Sequence, residues 1–235
     1  MDFSRALDQY RFTTELHAHS FPVSACASLR ANEVVEAYVS KNVNSLVITN
    51  HLNPLWIDGS PKERAEEYLS DYRIAREAAK NDINVILGVE IRFPENDNDY
   101  LVYGACEEDI EHFISLIPYG IESFYKEVKR DNNLILQAHP FRKGMVLAPL
   151  SSIDGIESMN MHPSHDGRPA IAFRYAKENR LIVSGGSDFH HKGNQALCLM
   201  RTENEIKTSY DVAKALTSKE AIFDCSGHII IPYMY

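Results

Sequence analysis

Short apolar runs alternate along the chain with longer segments whose apolar residues recur every three or four positions. Apolar, β-branched runs of strand length are typical of buried strands, and the periodic segments predict amphipathic helices that cover a sheet. Strands are predicted at 12–16, 45–49, 84–89, 99–103, 134–138, 155–159, 181–184 and 221–223, with a further apolar run at 196–200. Helices are predicted at 32–41, capped by Asn32, and at 62–80, 107–116, 121–130, 169–179 and 206–216. This alternation favours an α/β fold with a mainly parallel sheet.

Polar residues that can bind metal follow many of the predicted strands. They are His17, His19, His51, Glu90, His139, Asp188 and His190. In an α/β barrel the carboxyl ends of all strands open on one face, where such side chains would meet. A Rossmann-type sheet is the rival architecture, but no Gly-x-Gly-x-x-Gly follows the first strand. The pattern therefore favours a barrel.

The pair His17 and His19 gives the strongest chemical signal. Alternate residues of a strand point the same way, so both rings can face one ion. Imidazole nitrogen and carboxylate oxygen are ligands that zinc, manganese and iron all accept. The seven residues exceed what one ion needs, so we expect two or three divalent ions (Mn, Fe or Zn).

Composition narrows the possible partners. The 235 residues carry a formal net charge of −9, which argues against binding a nucleic-acid backbone. The four cysteines form no CxxC pair and fit a reducing cytosol. We see neither a signal peptide nor an apolar run long enough to span a membrane, so we expect a cytoplasmic protein without membrane contact. The oligomeric state stays open.

Five motifs resemble those of the PHP (polymerase and histidinol phosphatase) superfamily of metal-dependent phosphoesterases. They are ELHAHS, VITNH, GVEIRF, QAHPFR and GSDFHH, in the family's order, over residues 15–191. The resemblance implies one domain over 1–235, a distorted (β/α)7 TIM-like barrel with a di- or trinuclear site. By this resemblance, His17, His19, Glu90 and Asp188 would hold the first ion. Glu90 would bridge to a second ion at His139, and a third would lie at His51 and His190. Asp188 could also bridge or orient the attacking water.

The chain departs from the family pattern in three places. Ser24, Ala25 and Cys26 stand where an Asp or another His is usual. Cys26 could bind metal as a thiolate, but we favour hydrophobic packing for it and expect its replacement to change little. Asn50 replaces the usual Asp before His51. No clear ligand precedes the His-Pro motif; Asp99 is nearby, and a turn role suits it at least as well.

Other residues could hold a substrate. Arg142 follows His-Pro-Phe and could bind phosphate oxygens; Arg92 is a weaker candidate. His191 could protonate the leaving group, and His162 and the single tryptophan, Trp56, could line the pocket.

We therefore expect an enzyme that hydrolyses a small phosphomonoester, such as a histidinol-phosphate-like compound, a nucleotide or a sugar phosphate, with metal-activated water. Three alternatives stay open. One is a phosphodiesterase or an oligonucleotide-end hydrolase. A second is an amidohydrolase, which would typically add a bridging Lys that no central strand supplies. The third is a degenerate barrel without catalysis.

Overall fold

The strands of the protein form two six-stranded sheets, as seen in a computed structural model that describes residues 7–233. The first sheet has the order β12-β11-β10-β1-β2-β4, and the second has the order β3-β5-β6-β7-β8-β9. The strands are β1 (Phe12–Ala18), β2 (Ser45–Ile48), β3 (His51–Leu52), β4 (Asn84–Leu87), β5 (Val89–Arg92), β6 (Asp99–Tyr103), β7 (Leu134–Gln137), β8 (Gly155–Asn160), β9 (Ile182–Gly186), β10 (Cys198–Thr202), β11 (Ile222–Cys225) and β12 (His228–Ile230).

Helices follow most of the central strands and cover the sheets. They are α1 (Ala31–Val39), α2 (Pro61–Ala79), α3 (Asp109–Leu116), α4 (Gly120–Val128), α5 (Pro169–Glu178) and α6 (Ser209–Ser218). Short 3-10 helices occupy Pro54–Ile57, Ile117–Tyr119 and Leu150–Ser152. Within residues 7–233, no helix has the length and apolar character needed to cross a membrane.

The mixed α/β fold is confirmed, but a mainly parallel sheet is not. Of the ten strand pairs between the described strands, five are parallel and five are antiparallel. A parallel pair needs a long crossover, whereas only residues 93–98 connect β5 to β6, so these two strands must run antiparallel. Strand pairing within 7–233 also does not form one closed ring, and the seven-stranded barrel is therefore not confirmed.

The predicted cap of α1 is wrong. The helix begins at Ala31, with Arg30 as its N-cap, so Asn32 lies inside the first turn. The cause is the carboxylate of Glu33, which accepts a hydrogen bond from the Arg30 backbone N–H at 2.8 Å and so fixes the start earlier. Similarly, α6 begins at Ser209 rather than at residue 206, because Thr208 caps it.

Backbone hydrogen bonds join the two sheets where the predicted metal residues lie. On one side, the Gly88 N–H donates to the Ile48 carbonyl and the Glu90 N–H donates to the Asn50 carbonyl, at 2.9 and 3.2 Å. On the other side, Ala18 of β1 forms a bridge with Phe189, just after β9. The strand ends that carry His17, His19, Glu90 and Asp188 are therefore neighbours.

A buried acid, Glu15, fixes β1 against its surroundings. Its side chain is fully buried and accepts hydrogen bonds from the Ser187 N–H and hydroxyl and from the Tyr38 hydroxyl of α1. The backbone N–H groups of Leu16 and His17 also donate to it, each at 3.1 Å. Burial raises the pKa of Glu15, and these hydrogen bonds counteract the rise. Glu15 thus holds β1, α1 and the segment before Asp188 in one arrangement.

We predict that Glu15→Gln destabilises the metal-free protein. In the wild type, both Glu15 oxygens accept hydrogen bonds. A glutamine replaces one of these oxygens with an NH₂ group, which cannot accept, so at least one buried donor loses its partner. The free energy of unfolding should fall by about 1–3 kcal/mol, measured by urea denaturation. Glu36→Gln, at an exposed position of the same α1 helix, is the matched control. Equal stability of the two variants would contradict the anchoring role.

Candidate metal centre

The two histidines of β1 face the same pair of carboxylates. His17 Nε2 lies 3.3 Å from Glu90 Oε1 and 3.5 Å from Asp188 Oδ1. His19 Nε2 lies 3.3 Å from Glu90 Oε2 and 3.4 Å from the same Asp188 Oδ1. All four side chains are buried, so the cluster is shielded from bulk water.

Glu90 is the centre of the site. His139 Nε2 lies 3.2 Å from its Oε1 atom, and His51 Nδ1 lies 3.0 Å from its Oε2 atom. Each oxygen of Glu90 therefore faces two imidazoles, one of them from the His17 and His19 pair. A carboxylate whose oxygens face separate groups of donors is suited to bridging two ions.

Three overlapping groups of side chains have ligand atoms within 4.8 Å of one another and could each hold an ion. The first contains His17, His19 and Asp188, and the second contains His51, Glu90 and Asp99. The third contains His19, His51 and His190. His190 also lies beside Asp188, with Nδ1 at 3.4 Å from Oδ1. The structure therefore brings all seven sequence-predicted ligands together.

Several buried atoms of this cluster have no hydrogen-bond partner. They are His17 Nε2, His19 Nε2, Glu90 Oε2 and His139 Nδ1. A buried polar atom without a partner costs on the order of 1–3 kcal/mol. Divalent cations placed beside Glu90 would satisfy His17 Nε2, His19 Nε2 and Glu90 Oε2. The donor set, imidazole nitrogen and carboxylate oxygen, fits Zn, Mn or Fe.

Without ions, the cluster is held by protonated histidine. Burial opposes the charged form of His17, but the nearby carboxylates of Glu157 and Glu90 outweigh it and hold the pKa of His17 well above its usual value. Burial likewise opposes ionisation of Glu90 and Asp188, yet the neighbouring histidines keep the pKa of both carboxyls well below the usual range. Ion binding would therefore displace the proton of His17.

Glu157 of β8 orients two of the histidines. Its Oε1 atom lies 2.8 Å from His17 Nδ1, and its Oε2 atom accepts the backbone N–H of His139 at 3.0 Å. The Asn160 amide donates to the same Oε2 atom at 2.9 Å and to Asp188 Oδ2 at 3.1 Å. A carboxylate on the second ring nitrogen of a ligand histidine fixes its tautomer and orientation.

His139 and Asp188 adopt backbone conformations that side-chain-bearing residues rarely use. Their φ angles are +30° and +51°. Such conformations persist where surrounding contacts hold them, and they are concentrated at functional sites. His139 lies two residues past the end of β7, and Asp188 lies two residues past the end of β9. There the His139 ring faces Glu90, and the Asp188 carboxylate faces His17 and His19.

Asn50, which replaces the usual Asp, has a scaffolding role. Its side-chain oxygen accepts the Ser20 N–H at 2.7 Å and the Ser24 hydroxyl at 2.9 Å. Ser24 Oγ in turn accepts the backbone N–H of His51 at 2.9 Å and lies 3.3 Å from His19 Nδ1. The missing negative charge thus leaves a neutral network that holds two predicted ligands.

Asp99 is not a turn residue. It is the buried first residue of β6, and both its oxygens accept hydrogen bonds from Arg92, at 2.7 and 2.6 Å. Its Oδ2 atom lies 3.8 Å from His139 Nε2. Asp99 therefore borders the cluster, and the bidentate pair occupies the Arg92 guanidinium, which was the weaker candidate for substrate binding.

The expected packing role of Cys26 is wrong, because this residue is exposed. Its thiol hydrogen-bonds to the side chains of His190 and His51. Burial of the sulfur atom raises its pKa, but the two imidazoles outweigh this effect and lower the pKa of Cys26 to about 6. Cys26 also lines a cavity of about 510 Å³ together with His51 and Trp56.

The candidate substrate residues lie at the rim of the cluster. Arg142 follows His139 in a turn, with Nη1 at 3.9 Å from Asp188 Oδ2 and Nη2 in contact with His165 Nε2. The His162 ring is tilted against that of His165, with centroids 4.6 Å apart, and lies 5.4 Å from the His190 ring. His191 is exposed, its ring 6.4 Å from that of His190, and it lies outside the three ligand groups.

Comparison with known proteins identifies the family. The profile of the PHP domain matches residues 15–227, which is most of the chain. The chain belongs to the PHP domain family. No functionally curated protein matches it.

Solved structures share the fold of this PHP domain at low sequence identity. A two-domain protein from Bacteroides vulgatus, containing a predicted PHP-like metal-dependent phosphoesterase, gives a TM-score of 0.63 at 17% identity, over 91% of this chain and 64% of its own. PsfC from Pseudomonas syringae gives 0.60 at 17% identity, covering 86% and 87% of the two chains. An amidohydrolase from Chromobacterium violaceum, with bound sulfate and no metal, gives 0.50 at 16% identity over 77% and 88%. The PHP domain thus spans less than two thirds of the Bacteroides protein.

Sequence reasoning assigned no role to Glu157 in this PHP domain. The signal was present, since Glu157 is a charged residue within the otherwise uncharged strand β8, where only a satisfied charge is tolerated. Asp99 gave a similar signal, as an acid at the start of the apolar run DYLVY. Spatial contact with His17 or His139 reveals the place of each of these two acids.

We predict that Glu157→Gln weakens metal binding. The amide cannot match the charge of the carboxylate beside His17 Nδ1, so the imidazole becomes a poorer and less ordered donor. Metal affinity should fall by about 10–100-fold, measured by competition with a chelating dye. Glu178→Gln, on the exposed end of α5, is the control and should bind like the wild type. Unchanged affinity in Glu157→Gln would refute this role.

Proposed function

We propose that this PHP domain is a metal-dependent hydrolase of small phosphomonoesters. The observation that carries the proposal is the set of buried, unpartnered donor atoms around Glu90, with the Arg142 guanidinium 3.9 Å from Asp188 at the mouth. The first feature suits divalent ions, and the second suits a phosphoryl group next to them. Family membership supports the same reaction class.

The proposed ligand assignment follows the geometry. His17, His19, Glu90 and Asp188 would hold one ion, and Glu90 would reach a second ion at His139. His51 and His190 would hold a third. When bound, such ions lower the pKa of water and neutralise phosphoryl oxygens.

The chain's own side chains would position the substrate. Arg142 is partly buried and contacts His165, which restricts where its guanidinium can point. A guanidinium held in this way can donate two hydrogen bonds to phosphoryl oxygens and stabilise the charge that develops there. Asp188 faces both Arg142 and the histidines, so its carboxylate can accept a hydrogen bond from the attacking water. His191 is proposed to protonate the leaving alcohol from the exposed rim.

The rim favours a small substrate. The cavity beside His51 measures about 510 Å³ and has Trp56 and Leu55 in its wall, which is room for an organic group of modest size. The net charge of −9 disfavours a nucleic-acid backbone as partner. We also propose that the protein is cytoplasmic, that it has no membrane contact and that residues 1–235 form a single domain.

We further propose that strands of the two sheets together form the distorted (β/α)7 barrel that the family resemblance implies. The hydrogen bonds at Gly88 and the bridge at Ala18 support this, because they link the sheets on both sides of the site.

Removal of metal should abolish activity. We expect chelation and dialysis to stop hydrolysis of a generic aryl phosphate, and added Mn or Zn to restore it, since the unpartnered donors alone cannot activate water. His17→Ala and Asp188→Ala should stay inactive after metal is added back. Full turnover by the chelated protein would contradict the proposal.

Cleavage of an aryl amide without cleavage of the aryl phosphate would indicate the amidohydrolase alternative. A bis-aryl phosphate as the better substrate would indicate a phosphodiesterase.

Loss of Arg142 should weaken catalysis without emptying the metal site. We expect Arg142→Ala to lower kcat/KM for aryl phosphate by about 10²–10³-fold, because a donor to the developing charge is lost. Arg142→Lys should lose less, since it keeps the charge but not the paired geometry. Arg174→Ala, an exposed position on α5, serves as the control. Normal kinetics in Arg142→Ala with full metal content would exclude the phosphate role.

A further inference from the structure

The outer part of the cluster has a donor set different from the rest. The third ligand group consists of the imidazoles of His19, His51 and His190 and contains no carboxylate. His19 is fully buried, and its Nε2 atom has no hydrogen-bond partner. His19 also faces Glu90 and Asp188, where it is proposed to hold the first ion. An ion at the outer position would then have His51 and His190 as its own ligands, and an anionic third ligand would suit it.

The loop before α1 brings a thiol to this position. Its backbone is fixed at two points on either side of Cys26. Ser24 Oγ accepts the His51 N–H at 2.9 Å, and the Ser28 N–H donates to the His190 carbonyl at 2.9 Å. The Ala27 N–H also donates to the Ser24 carbonyl at 3.0 Å, which closes the loop into a turn. Cys26 is thus held between the two histidines, and its thiol hydrogen-bonds to both rings.

We propose that the Cys26 thiolate is a protein ligand of the outer ion, together with His51 and His190. This inference rests on the proposed function, because it requires that the cluster binds metal. On binding, the S–H bond breaks, the proton passes to solvent and the sulfur lone pair forms the bond to the ion. Three protein ligands leave the remaining position open for water or substrate, as in catalytic zinc sites.

A sulfur ligand changes which metal this position selects. Thiolates favour zinc over the harder Mn²⁺, whereas imidazole and carboxylate accept both. The outer position would therefore be selective for zinc, while the two positions at Glu90 could still accept Mn, Fe or Zn. Exposure of Cys26 toward the cavity leaves the outer ion accessible to a substrate.

The other cysteines provide a matched control. The Cys106 thiol contacts Asp109 at 3.3 Å, near the start of α3. Cys198 and Cys225 are buried against each other, with their sulfur atoms 3.4 Å apart. Cys106→Ser therefore removes a partly buried thiol without touching the cluster.

X-ray absorption of the zinc-loaded full-length chain tests the proposal directly. The wild type should show a zinc–sulfur shell at about 2.3 Å beside the zinc–nitrogen shell. Cys26→Ser should lose the sulfur shell and bind about one zinc ion fewer per chain. Cys26→Asp should lose the sulfur shell but keep the zinc count, because a carboxylate replaces the ligand. Cys106→Ser should match the wild type. In the cobalt-substituted protein, the thiolate-to-metal charge-transfer band should disappear only in the two Cys26 variants.

Three results would overturn the inference. They are a zinc-loaded wild type without a sulfur shell, a sulfur shell that survives in Cys26→Ser, and a charge-transfer band that depends on Cys106. If the wild type binds zinc through nitrogen and oxygen alone and still hydrolyses aryl phosphate, the Cys26 inference fails and the proposed function stands. If the wild type binds no metal and hydrolyses no phosphate ester, both fail.

Discussion

A carboxylate buried among four imidazoles is the constraint on which the rest of this structure depends. Glu90 cannot remain ionised in the interior unless positive charge surrounds it. Its neighbours His17, His51 and His139, whose pKa values are raised, can supply that charge as protons, and bound cations could supply it as well. Such a cluster is costly to assemble, because each ring must leave water and lose its freedom. Hydrogen bonds to the backbone and to the outer ring nitrogens offset part of that cost. They leave the ring nitrogens that face Glu90 free.

Those hydrogen bonds form a second layer that leaves the inner faces of the rings open. Glu157 binds the outer nitrogen of His17, Ser24 contacts the outer nitrogen of His19, and Glu15 anchors the backbone that carries both histidines. The surrounding residues thus orient the histidine rings, and the residues within the cluster carry its charge. Asn50 belongs to this second layer, since its side-chain oxygen accepts hydrogen bonds from Ser20 and Ser24.

The sequence predicted this arrangement unevenly, for physical reasons. Strand positions and the seven strand-end ligands followed from local patterns, because apolar runs and the His-x-His spacing depend only on neighbouring residues. The antiparallel pairing of β5 and β6 did not follow, because the strand–helix alternation favoured parallel strands. The short loop between these two strands indicates the opposite direction. The contacts of Cys26 and Glu157 were also missed. Their partners lie more than 100 residues away in several cases, and no periodicity encodes such a contact.

The contact between Glu15 and Ser187 has a consequence for how the protein matures. These residues are 172 positions apart, yet their hydrogen bonds align His17 with Asp188. A nascent chain on the ribosome presents the early histidines long before the aspartate exists. The first complete ion site can therefore form only after nearly the whole domain has been synthesised. If the site binds ions as proposed, their capture would be a late event in biogenesis. A chain truncated before residue 188 would lack the anionic partner of His17 and His19.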